Sequence, residues 1–291
     1  NRANLIKEVV LGGEVKLHEL VAVARYGAVV SFNEDYKKRV KACRDLVEIF
    51  VKENRRIYGV TTGLGENVKR VIHEKEAIKY QKNMILTHCT NVGEPLDREA
   101  VRAIIFVMLL NMGSGYSGAR LELLERLAEF LNKDIVPWTP SHGSVGYLGA
   151  EAHIAMVLFG EGRAYYKGEL LDGATALNRA NIEPIYPSYK EGLCLISGGT
   201  SVTALAALSV YDALNLTATA DVVASCTLEA LGGNLKAFDD RVMLVKRQPA
   251  QWVSAKHVNK ILNDSEIIQK YGGQNLQDAL SLRCIPQAHG A

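Results

Sequence analysis

Gly143-Ser144-Val145-Gly146-Tyr147-Leu148-Gly149-Ala150-Glu151-Ala152-His153 is the stretch on which the fold turns. Its three glycines, at 143, 146 and 149, open backbone conformations that a Cβ would close. Ala150 to Phe159 then reads as a helix ended by Gly160. Upstream, Pro137 and Pro140 mark a loop. Before them, Leu121, Leu124, Leu127 and Leu131 give one apolar helical face. Further out, Leu17, Leu20, Val21 and Ala24 fall at i, i+3, i+4 and i+7, and Tyr36 to Lys52 repeats that spacing. Ala164 to Leu171 reads as a small hairpin or an irregular excursion. Thr200 to Leu231 is the longest regular run, rich in Ala, Leu, Val and Thr, with charge only at Asp212, Asp221 and Glu229. No alternation of strands and helices and no GxGxxG appears, which argues against a dinucleotide-binding sheet. The expected class is all-α, mainly helical.

The 291 residues are 48% hydrophobic and 23% charged, enough for a large core. A net charge of +2, with basic pairs isolated at Arg55-Arg56 and Lys69-Arg70, gives no footprint for nucleic acid. A membrane span needs roughly 20 uninterrupted apolar residues. Asp212, Asn215 and Asp221 interrupt the long run on different faces, so no membrane is expected. A helix inside a bundle or at a subunit interface is expected instead. Cys43, Cys89, Cys194, Cys226 and Cys284 show neither CxxC nor metal-ligand spacing, which fits a reducing cytoplasm. Glu151 and His153, two residues apart, face different ways on a helix and make a poor metal pair. The first residues carry neither Met nor a signal peptide. Gln277 to Ala291 reads as a structured segment in mid-course, and a further C-terminal portion is expected.

Five stretches share an order. Tyr58-Gly59-Val60-Thr61-Thr62-Gly63-Leu64-Gly65 comes first, then Asn83 to Leu96, then Gly115-Tyr116-Ser117-Gly118-Ala119-Arg120. The glycine segment follows, with Gly160-Glu161-Gly162-Arg163-Ala164. Gln277-Asp278-Ala279-Leu280-Ser281-Leu282-Arg283-Cys284 closes the series, before Pro286-Gln287. Each stretch alone is weak. Together they resemble the histidine and aromatic amino-acid ammonia-lyases over nearly the whole chain. The resemblance implies the ammonia-lyase fold with a long central helix bundle. Residues 1–199 would form an N-terminal active-site domain with the glycine loop, and 200–291 the start of the bundle. It also implies a homotetramer with shared active sites.

In that family the Tyr matching Tyr58 removes a proton from the substrate β-carbon. A phenol, with a pKa of about 10 in water, needs nearby donors or positive charge to act as a base. The Arg matching Arg283 holds the α-carboxylate, for which a planar guanidinium offers two parallel hydrogen bonds. Gln277 matches a position that contacts substrate or electrophile. Thr87 and His88 match the pair that faces the substrate side chain. The Thr-His pair resembles that of the histidine lyases, whereas phenylalanine lyases carry apolar residues there. For His153 the structural reading is favoured.

The family's Ala-Ser-Gly triad cyclises to 4-methylideneimidazol-5-one (MIO), the electrophile that takes the amine. Here the flanks align without a gap only if the triad is left out between Gly146 and Tyr147. Either the fused residue, which has no standard letter, is passed over in the written sequence, or the chain lacks it. Three positions depart from the family. Tyr147 stands where Asp follows the triad, Ser197 where an Asn meets the electrophile, and Leu280 where a second Tyr is found. All three surround the electrophile and none the carboxylate grip. The leading expectation is a carbon–nitrogen lyase releasing ammonia from a histidine-like or aromatic L-amino acid through MIO. The sites expected are Tyr58, Gly146 and Tyr147 for catalysis and Thr87, His88, Ser197, Gln277 and Arg283 for substrate. Ergothionases resemble histidine lyases and expel trimethylamine from ergothioneine without MIO, a reaction the departures fit. The resemblance also leaves room for a 2,3-aminomutase or an inactive scaffold paralogue.

Overall fold

The computed structural model describes residues 2–63, 65–69, 71–72, 74–144 and 148–291. By its contacts the chain divides into two compact units, 1–209 and 210–291. The first holds β1 (Glu8–Leu11), α1 (Leu17–Tyr26), β2 (Val29–Phe32), α2 (Glu34–Lys52), α3 (Glu74–His88), β3 (Val92–Pro95), α4 (Arg98–Gly113) and α5 (Leu121–Asn132). It continues with β4 (Val136–Pro137), β5 (Pro140–His142), α6 (Gly149–Val157), β6 (Arg163–Tyr166), β7 (Glu169–Asp172), α7 (Gly173–Arg179) and α8 (Glu191–Ile196). Helix α9 (Thr200–Ala230) starts in the first unit and ends in the second. The second unit adds α10 (Asp240–Lys246), α11 (Pro249–Leu262), α12 (Glu266–Tyr271), α13 (Leu280–Arg283) and α14 (Ile285–His289).

The mainly helical expectation holds, and most helix limits fall within a residue or two of the sequence reading. In the first unit, α4 is buried along almost its whole length, with α1, α2 and α5 packed around it. That explains why its sequence is apolar on every face. Arg102 of α4 is fully buried, yet its guanidinium donates to the carbonyls of Val23 and Leu131 and to Asp134, so no donor there is stranded. Asn33 starts α2 by accepting the Tyr36 N–H at 2.8 Å, and Gly27 ends α1 in the left-handed region at φ +69°.

The strands are short. β1 and β2 pair in parallel, from Glu8 with Val29 to Leu11 with Phe32. β3 pairs antiparallel with β5, and β4, β6 and β7 form a small antiparallel sheet. Of the two readings of Ala164 to Leu171, the hairpin is found. Lys167 and Gly168 make its two-residue turn, both at positive φ, as a turn matching strand twist requires.

In the second unit Leu228, Phe238, Met243, Ala255, Val258, Leu262 and Ile285 make the core. The segment Glu191–Ala230 is long and apolar enough to cross a membrane by length and composition alone, a test that core helices of soluble proteins also pass. Asp221, inside α9, is buried and fully hydrogen-bonded to side chains of its own unit.

Candidate active site

Tyr58 stands on a loop whose base is fixed and whose tip is open. Thr61 and Thr62 are buried, and Val60 and Ile72 join Val47, Ala77 and Tyr189 in a small core. The Thr61 hydroxyl accepts the Ile57 N–H at 3.0 Å and donates to the Arg55 carbonyl. Tyr58 itself is 55% exposed, and its phenolic oxygen accepts the Gly65 N–H at 3.1 Å. That backbone donor lies on the one oxygen that would have to become an anion to take a proton. Gly65 is at φ +53°, so the loop turns back to offer its N–H through a left-handed residue.

Helix α3 delivers Thr87 and His88 at its C-terminal end. His88 Nδ1 lies 2.7 Å from the Met84 carbonyl, and the Thr87 hydroxyl donates to the same oxygen at 3.0 Å. A carbonyl only accepts, so Nδ1 carries the proton, and a neutral His88 ring presents Nε2 as an acceptor. The tautomer is thus set by the helix's own last turn.

Three residues beyond His88, Asn91 lies against both ends of the glycine segment. A Cβ on Gly149 would sit 2.0 Å from Asn91 Oδ1, and one on Gly143 would sit 3.2 Å from Asn91 Cα. Gly146 and Tyr147 lie outside the described residues. Leu148, next in the chain, is at φ +75°, a region that costs any residue with a Cβ. Around the segment and along α6 several buried polar atoms lack partners among the described residues. Asn91 Oδ1, Glu151 Oε2 and both ring nitrogens of His153 are buried and have no hydrogen bond among the described residues. Glu151 Oε1 accepts from the Thr200 hydroxyl at 2.7 Å and the Ser201 N–H at 2.8 Å, tying α6 to the start of α9. His153 is buried, and burial pushes its pKa below the usual histidine value. The structural reading of His153 supplies it with no hydrogen-bond partner.

Ser197 follows α8 and lines a cleft with Asn111, Ser117, Lys190 and Cys194. The helix is held by a buried ion pair. Glu191, with no exposed surface, accepts from Arg120 Nη2 and Nε at 2.8 and 2.9 Å and from the backbone N–H groups of Arg120 and Ser188. Buried Arg44 lies 3.6 Å from the same carboxylate. Gly192 lets α3 come close, because its N–H donates to Gln81 Oε1 at 2.8 Å and a Cβ there would meet the Gln81 carbonyl oxygen at 2.8 Å.

In the second unit Gln277 and Arg283 line one cleft of about 330 Å³, together with Asn234, Lys236, Lys246, Asp278 and Gln287. Asp278 is engaged by the Asn234 N–H at 2.6 Å. The Arg283 guanidinium has no hydrogen bond or ion pair among the described residues, and its Nε is buried and unpartnered. A free guanidinium fork beside two lysines and an amide is chemistry suited to an anion, a carboxylate above all. Leu280 is exposed.

The family model of the aromatic amino acid lyases matches residues 15–291. The chain belongs to this family. A curated histidine ammonia-lyase of Caldanaerobacter subterraneus subsp. tengcongensis is 44% identical over 288 residues, 98% of this chain and 57% of that protein. The chain therefore spans little more than half the length of such relatives. Among solved structures, the phenylalanine aminomutase of Pantoea agglomerans superposes with a TM-score of 0.88 at 32% identity, covering 97% of this chain and 58% of that one. The ergothionase of Treponema denticola superposes with a TM-score of 0.88 at 26% identity, covering 97% and 57%.

Within this member of the aromatic amino acid lyase family the motif residues divide by task. Arg120, Glu191 and Gly192 hold the helices together. Tyr58, His88 and Arg283 keep a polar atom or an unpaired group available. The geometry brings Thr87 next to His88, and Gln277 to Arg283. A sequence reading centred on motifs missed Asp221, Ser254, His257 and His289, which meet in the second unit. The signal was present as a carboxylate deep in an apolar helix, since a buried charge requires partners.

Proposed function

We propose that the protein is a carbon–nitrogen lyase that releases the amine from a histidine-like L-amino acid and leaves an α,β-unsaturated acid. The observation that carries this reading is the fixed tautomer of His88. Its Nε2 suits the N–H of a substrate imidazole, and a phenylalanine ring would leave it unpaired. Sites built to hydrogen-bond a substrate discriminate strongly against analogues without the group. Tyr58 takes the β-proton, its oxygen held by the Gly65 N–H. Arg283 grips the α-carboxylate, with Gln277 beside it.

The reading includes MIO between Gly146 and Tyr147. The residues around that junction fit a polar group. Asn91 Oδ1, beside Gly149, is buried without a partner among the described residues, and so are Glu151 Oε2 and the His153 nitrogens on the helix that follows. Each such atom costs about 1–3 kcal/mol if left so. Asn91 and Ser197 would hold the group. When bound, it supplies an electrophile for the substrate nitrogen and so makes the amine a leaving group. The enzyme would work as a homotetramer with shared sites, in keeping with the exposed Val210, Leu214, Leu216 and Val223 of α9. A cytoplasmic location accords with five unpaired cysteines.

A second reading, elimination of trimethylamine from ergothioneine without MIO, is favoured by the direct Gly146–Tyr147 join, by Ser197 and Leu280, and by the likeness to the ergothionase. Two measurements on the full chain decide. Intact mass with peptide mapping across Ser141 to His153 shows Ala-Ser-Gly less two waters if MIO is present. Turnover of L-histidine to an unsaturated acid, lost by roughly 100-fold or more in Tyr58→Phe, supports the first reading. A direct join with trimethylamine released from ergothioneine supports the second. No product from either substrate refutes both.

A further inference from the structure

Asp221 lies on α9 with 1% of its surface exposed. Its carboxylate is met from two other helices. Oδ1 accepts from the Ser254 hydroxyl at 2.6 Å and from His289 Nδ1 at 2.8 Å, and Oδ2 accepts from His257 Nδ1 at 3.0 Å. Ser254 and His257 are on α11, and His289 ends α14. Burial pushes the Asp221 carboxyl up, but the hydrogen bonds from Ser254, His289 and His257 outweigh it and hold the group below the usual carboxylate range. The charged form is the one the cluster is built around.

What the cluster holds is the pair of short helices α13 and α14, joined by Cys284. Arg283 ends α13, and His289 lies six residues on, at the end of α14. Around the α13–α14 segment the fit is close. Ile285 is buried in the core of the second unit, and a Cβ on Gly290 would meet the Gln251 backbone nitrogen at 2.4 Å. The Arg283 guanidinium has no partner of its own among the described residues, so its placement depends on the α13–α14 segment.

We propose that Asp221 is a positioning residue: through His289 it locks the α13–α14 segment against α9 and α11 and so aims Arg283 at a substrate carboxylate. This rests on the reading of Arg283 as the carboxylate grip. Asp221 touches no substrate. Its contribution is to convert a free guanidinium on two short helices into an oriented one, which lowers the ordering cost of binding.

The test uses two ligands that undergo no elimination, 3-(imidazol-4-yl)propanoate and its carboxylate-free counterpart 4-ethylimidazole, with binding to the full chain measured by calorimetry. Asp221→Asn is expected to weaken the propanoate roughly tenfold, a coupling of the size found for residues in one network, and to leave 4-ethylimidazole unchanged. His289→Leu is expected to do the same, and His289→Asn, whose amide nitrogen reaches the place of Nδ1, to restore binding. In an Arg283→Ala background, Asp221→Asn is expected to add nothing further. Equal weakening of both ligands, or an undiminished Asp221→Asn effect without Arg283, overturns the proposal. Unchanged propanoate binding in Arg283→Ala alone refutes the grip itself. Should Asp221→Asn fail to fold, the two His289 variants carry the comparison.

Discussion

Replacing Gly192 by Ala tests whether the approach of α3 to α8 sets the site. The added Cβ would lie 2.7 Å from Gln81 Oε1, 2.8 Å from the Gln81 carbonyl oxygen and 3.2 Å from Gln81 Cα. Two of these atoms are helix backbone, which cannot rotate away. The helices must separate by several tenths of an ångström, and the 2.8 Å bond from the Gly192 N–H to Gln81 Oε1 stretches or breaks. Overpacking costs about 1–3 kcal/mol. The lost bond costs about 1 kcal/mol. Replacing a helical glycine by alanine returns about 0.5–1 kcal/mol. The net is a loss of about 2 kcal/mol, read as a lower midpoint in chemical denaturation. Function provides a second readout, because α3 carries His88 and α8 leads into Ser197. A small misplacement of either should lower kcat/KM for L-histidine by roughly tenfold. A variant as stable and as active as the parent would refute the claim that close packing of α3 on α8 needs a glycine.

Three further outcomes are expected. Glu191→Ala should cost about 3–5 kcal/mol because it takes the acceptor from the Arg120 guanidinium and from the backbone N–H groups of Arg120 and Ser188, while Glu48→Ala, which removes a half-exposed partner of Arg44, should cost under about 1 kcal/mol; denaturation of both variants checks the contrast. His153 has its pKa lowered by burial, so the unfolded chain binds the proton more readily; stability should be full above about pH 6.5 and fall as acid carries the pH below it, and His153→Phe should flatten that part of a melting-temperature profile. His88→Leu should raise KM for L-histidine by at least about tenfold through loss of the Nε2 acceptor, with folding unchanged by circular dichroism.

Helices were legible where the apolar spacing was strict. The leucines of α5 and the run of α9 gave their own limits, because one buried face repeats every turn. The β1–β2 pair was not legible, since four-residue strands far apart in sequence carry too few side chains for an alternating pattern. The roles of Arg120 and Glu191 were hidden for a related reason. They are 71 residues apart, and only the fold makes them a buried pair.

For the site, the sequence by itself determined the residue types: a phenol among glycines, a Thr-His pair, a Gln and an Arg, all in the order of one family. Side-chain chemistry is written in the chain and needs no fold to be read. The tertiary structure decided which atoms of those groups are available. It sets the His88 proton on Nδ1, leaves the Arg283 guanidinium without a partner among the described residues, and binds Asp221 into a cluster spanning 68 residues. Hydrogen-bond satisfaction and burial are properties of neighbours in space, and those neighbours exist only once the helices have packed.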